Sequence, residues 1–131
     1  MLRLDRFSKK AFIAFCEEKY AKCSARYGVD ALTLSDIENR DMLERLEIGR
    51  AVTYKQVADE VKSGLGHAAN GRFTRPSLSG YLTERVWTLA EKQGFKSGNG
   101  YSQVEGKSLV VIQDYVVFDS LNGLFEDLQH G

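Results

Sequence analysis

The chain has 131 residues, of which 43% are hydrophobic and 27% charged, with 18 basic and 18 acidic side chains. That length and apolar content suit one packed domain, alone or with a helical arm, and exclude wholesale disorder or two independent cores. No apolar run approaches the ~18 residues that span a membrane.

The pattern predicts a first helix from Asp5 to Tyr27, with Ser8 as N-cap and Gly28 as its left-handed stop. At 100° per residue Phe12, Cys16, Tyr20, Cys23 and Tyr27 fall within an arc of about 80°. So broad an aromatic stripe is buried either on its own domain or in a homodimer. Cys16 and Cys23 lie about 10.5 Å apart on such a helix, beyond the ~7 Å a disulfide tolerates. They read as small core hydrophobes, and no histidine spacing suggests a metal. Residues 1–30 also lack the apolar stretch and small-residue cleavage site of a signal peptide. A cytoplasmic setting is expected.

Ser35 to Glu38 has the Ser-x-x-Glu form of a capping box and predicts a second helix through Met42, Leu43 and Leu46, ending near Gly49. Thr53 and Gln56 make a similar pair, opening a short third helix with Val57, Ala58 and Val61 on its apolar side. Ser63 to Pro76, with Gly64, Gly66 and Gly71, reads as a loop that is long for a connector. Pro76 and Ser77 then start the longest internal helix. Leu78, Leu82, Val86 and Leu89 cluster within about 80° on it, and Gly94 is its stop. Trp87 falls nearly opposite Leu78, so either the first helix covers it or it contacts a partner.

From Phe95 the expected period changes to that of strands. Tyr101 to Val104, a Glu105-Gly106 turn and Ser108 to Ile112 predict a β-hairpin. Tyr115 to Phe118 adds a short strand, and Ser120 to Gln129 an acidic closing helix. The expected fold class is α+β, with 1–30 as an N-terminal arm for packing or dimerisation and 31–131 as the main domain.

Helix, short helix, longer helix and hairpin, in that order from Ser35, resemble the winged helix-turn-helix family of DNA-binding domains. The resemblance centres on Gly49-Arg-Ala-Val-Thr-Tyr-Lys-Gln-Val-Ala58 and covers roughly residues 35–113. It places Ser77 to Gly94 as the recognition helix and Phe95 to Gln113 as the wing. The same Val-Thr-Tyr run is similar to the DNA-binding part of alkylguanine-DNA alkyltransferases. Their Pro-Cys-His-Arg segment is missing, because no cysteine follows Cys23 and the sole proline is Pro76. Alkyl transfer is therefore not implied.

Charge is uneven along the chain: residues 51–96 hold seven basic and four acidic groups, residues 97–131 one and five. A basic middle before an acidic tail suits a nucleic-acid surface, or an ordinary solvated helix face. Under the resemblance, Arg50, Thr53, Lys55, Arg72 and Arg75 are the phosphate candidates, with Lys107 in the wing. Ser77, Ser79, Tyr81, Thr83 and Arg85 are the base-reading candidates. Catalytic and metal signatures are missing, and no enzyme activity, metal or cofactor is expected. Gly94 to Gly100 has the composition but not the spacing of a phosphate loop. The expectation is a small sequence-specific regulator of transcription, bound to double-stranded DNA as a dimer. The alternative is a protein-interaction module on the same scaffold, an adaptor or inhibitor of a nucleic-acid-processing machine using Trp87.

Overall fold

Four helices account for most of residues 7–130, the part of the chain described by the computed structural model. Helix α1 runs Lys9–Arg26, α2 Met42–Lys62, α3 Arg75–Gln93 and α4 Leu109–His130. Short 3-10 turns at Leu34–Ile37 and Tyr101–Val104 precede α2 and α4. Among the described residues there is no strand. The α+β winged-helix expectation is therefore overturned: the segment read as hairpin, third strand and closing helix is a 3-10 turn followed by one 22-residue helix.

The reason lies in the neighbours of α4. Ile112, Tyr115, Val116, Val117, Phe118, Leu121, Leu124 and Leu128 are all buried, on more than one side of the helix. Their run of β-branched and aromatic residues imitates a strand, but it is the wrap of a central helix. Ser108 starts it, its hydroxyl and carbonyl accepting from the Val111 and Ile112 amides.

A second correction concerns α2. It is not two helices broken near Gly49 but one, capped by the Asp41 carboxylate, which accepts from the Glu44 amide. Gly49 is not a stop: a Cβ there would sit 2.7 Å from Val116 Cβ, so the glycine lets α2 and α4 touch. Thr53 is in mid-helix and fully buried. The Ser-x-x-Glu box is replaced by Thr33 and Asp36, which cap only the 3-10 turn.

Elsewhere the expected limits hold. The Ser8 hydroxyl accepts from the Ala11 amide, Gly28 takes a positive φ of 67°, and Gly94 closes α3 in the left-handed region. Asp5, the expected start of α1, is outside the described residues, and the helix begins only at Lys9, after the non-helical Phe7 and Ser8. Helix α3 starts one residue before Pro76, with Thr74 as N-cap and Ser77 completing the box.

α2 packs against α1 and α4, and α4 against α2 and α3. Cross-links fix the directions. Cys23 and Arg26 of α1 meet Glu47, while Glu17 meets Lys62, so α1 and α2 are antiparallel. Tyr54 donates to Asp127 and Gly49 abuts Val116, so α2 and α4 run the same way. Arg75 donates to the Leu128 carbonyl and Gln93 to Asp114, so α3 opposes α4.

The aromatic stripe of α1 is turned onto the chain's own core. Phe12 and Cys16 are fully buried and Cys23 nearly so. Tyr20 and Tyr27 are half-buried, donating to the Leu32 carbonyl and to Glu47.

Candidate functional site

Of the eleven residues expected to grip DNA, seven are buried or half-buried. Only Arg50, Arg72, Thr83 and Lys107 are exposed, and they stand on α2, the 63–74 connection, α3 and the loop before α4. Thr53 is buried, and its hydroxyl has no partner among the described residues. Lys55 sits between Asp59 and Glu17, at 2.6 and 3.9 Å. Arg75 caps α4 through the Leu128 carbonyl and lies 4.7 Å from the centre of the Phe7 ring. Ser77 is spent on the Thr74 cap, and Ser79 is half-buried. Arg85 pairs with Glu60 at 2.8 Å. Tyr81 is half-buried; burial, then the neighbouring Glu60 carboxylate, pushes its phenol up to about 12.

These partners leave α3 with an asymmetric outer face. Its cations are all engaged inside the chain: Arg75 with Leu128, Arg85 with Glu60 and Lys92 with Asp114. Its exposed residues are Gly80, Thr83, Glu84, Trp87, Thr88 and Glu91, besides the two ends of the helix. Trp87 is 64% exposed. Glu84 and Glu91 are three residues before and four after it, hence on the same face. Neither is ion-paired among the described residues. An indole between two unmatched carboxylates is the result.

A second feature escaped the sequence reading. A groove of about 540 Å3 between α1, α2 and α4 is lined by Lys19, Lys22, Cys23, Arg26, Leu46, Glu47, Arg50, Ala51 and Asp119. Of the expected site residues only Arg50 takes part. The signal was present on α1, where Lys19, Lys22 and Arg26 fall within about 60° of arc, but their partners come from distant α2 and α4. Asp119 is held above the usual carboxylate range by burial, with Arg50 opposing and Glu126 adding to the rise. Burial, then Glu47, likewise raises the Cys23 thiol, against the pull of Arg26.

No group of three His, Cys, Asp or Glu among the described residues could hold a metal ion. No described helix is long and apolar enough to cross a membrane. Comparison with family models, with curated proteins and with solved structures returns no match.

Proposed function

We propose that this chain is a small helical protein-interaction module that docks a basic segment of a partner protein on the outer face of α3, centred on Trp87. It works by binding and not by chemistry. The carrying observation is the 64% exposure of Trp87 between Glu84 and Glu91. A tryptophan buries ~150–250 Å2 when covered, so leaving most of it in water forgoes roughly 2–4 kcal/mol at ~25 cal/mol per Å2. A partner recovers that energy. An arginine or lysine laid on the indole adds ~0.5–2 kcal/mol of cation–π attraction. The flanking carboxylates contribute mainly to steering, because exposed ion pairs are worth only ~0–1 kcal/mol each.

The DNA-regulator reading has less support. It drew its geometry from a wing and a recognition helix, and the hairpin segment is instead a 3-10 turn and the start of helix α4. Half of its nominated cations, Lys55, Arg75 and Arg85, are bound to carboxylates or a carbonyl of the chain.

Trp87 is the sole tryptophan, so fluorescence reads this surface directly. Titration with a short Arg/Lys-rich peptide at low salt is expected to shift the emission saturably, and an acidic peptide of equal length is expected to leave it unchanged. Salt-dependent binding of duplex DNA, with the emission unmoved by the basic peptide, overturns the proposal in favour of the DNA reading.

A further inference from the structure

The groove between α1, α2 and α4 is independent of the α3 face, since no residue of α3 lines it. Four cations and two carboxylates surround it, and the cations are unequally satisfied. Lys19 lies 5.6 Å from the centre of the Phe15 ring and has no carboxylate partner among the described residues. Lys22 pairs with Glu18 across open solvent, at side-chain exposures of 75% and 65%. Arg26 is matched to Glu47, which also accepts from Tyr27.

Arg50 is the distinctive member. Its guanidinium lies across Gly123, where a Cβ would come within 2.9 Å of Nη2. The missing side chain therefore makes the bed on which Arg50 rests. Its contact with Asp119 is a loose 3.9 Å, and none of its N–H groups makes a hydrogen bond among the described residues. A planar fork of donors, half exposed at the edge of a groove, suits the paired oxygens of a phosphate. Leu46, Ala51 and Cys23 give the groove an apolar wall, and Asp119 offers an acceptor beside the fork.

We propose that this groove binds a small phosphate monoester with a hydroxyl-bearing organic body. Arg50 and Arg26 grip the phosphate, Lys19 and Lys22 balance its second charge, and the body lies on Leu46 and Ala51 with a hydroxyl donated to Asp119. The groove volume is in the ordinary range for small-ligand sites, ~300–1,000 Å3.

Calorimetric titration of the full chain tests this, with AMP and glucose 6-phosphate as probes and adenosine as the body without phosphate. Saturable one-to-one binding of a monoester is expected, with inorganic phosphate competing and adenosine silent. Arg50→Gln should weaken the monoester roughly 10-fold or more, the loss of a charge-assisted pair of bonds, and Gly123→Ala should weaken it less, because the flexible guanidinium can shift off the added methyl. Arg26→Gln, at a side chain 70% exposed, is the variant least able to disturb folding, and circular dichroism checks all three. Silence of both monoesters to about 1 mM, or affinities unchanged in folded Arg50→Gln and Arg26→Gln, overturns the proposal. Retention on duplex DNA or on phosphatidic acid vesicles that neither monoester displaces also overturns it, assigning the groove to a polymer or a membrane surface.

Discussion

Gly49 shows how a single position can reverse a general preference. Alanine in mid-helix is ordinarily better than glycine by roughly 0.5–1 kcal/mol. Here the added methyl would meet Val116 Cβ at 2.7 Å, and a Cβ next to the backbone cannot swing away. Gly49→Ala is expected to cost about 1–3 kcal/mol in denaturant unfolding, with part of the loss recovered by Val116→Ala in the double variant. A gain in stability from Gly49→Ala would show that α2 and α4 are not in contact there. The cysteines make a second residue-scale case. Burial foremost raises both thiols, reinforced at Cys16 by Asp127 and Glu17. Neither should react with a disulfide reagent in the native protein, and both should react once it is unfolded. Tyrosines set the alkaline limit. Burial and a carboxylate partner push Tyr27 and Tyr81 from 10.0 to about 12. Besides the protons of Tyr54 and Tyr115, whose phenols burial also raises, the folded chain thus keeps these two, which the unfolded chain releases near 10. Their contribution to stability is whole below that point and is lost as pH rises through about 12. Unfolding free energy should fall over that window, and less steeply in Tyr27→Phe.

At the scale of elements, α3 was legible because its signals are local. Leu78, Leu82, Val86 and Leu89 repeat at helical spacing, and Gly94 ends the helix. Its cap is sharper than the sequence suggested, since Thr74 and Ser77 satisfy each other's backbone amides. Thr74→Ala should cost about 0.5–2 kcal/mol in thermal or denaturant unfolding. Helix α4 was not legible, and the reason is energetic. Val110, Val111, Ile112, Val116 and Val117 together disfavour a helix by roughly 2–3 kcal/mol relative to alanine. Burial of Ile112, Val116 and Val117 returns ~1.5–3 kcal/mol each, and that burial depends on α2 and α3, which no local window contains. The break placed at Gly49 failed similarly, because a glycine that permits helix contact has the same letter as one that stops a helix. Circular dichroism should therefore show a helical spectrum without a strand component; a strand contribution would return the 101–118 segment to a hairpin.

For the molecule as a whole, the candidate surfaces were readable only in part. Trp87 was correctly placed opposite the buried side of α3, because one helix carries both faces. The basic groove was not readable, because Arg50, Lys19 and Asp119 meet only after three helices pack. Arg75, Arg85 and Lys55 look like ligand-binding cations in a string of letters, yet their partners are carbonyls and carboxylates of the same chain. A surface built for binding should be separable from the core that holds it. Trp87→Ala, compared with the parent for both unfolding free energy and affinity for the basic peptide, tests that separation most directly. Stability is expected to be unchanged within ~0.5 kcal/mol, as at an uninvolved surface position, and affinity to fall roughly 30-fold, as for a central interface tryptophan. Equal affinity in the two proteins, or a loss of stability matching the loss of binding, would contradict that separation.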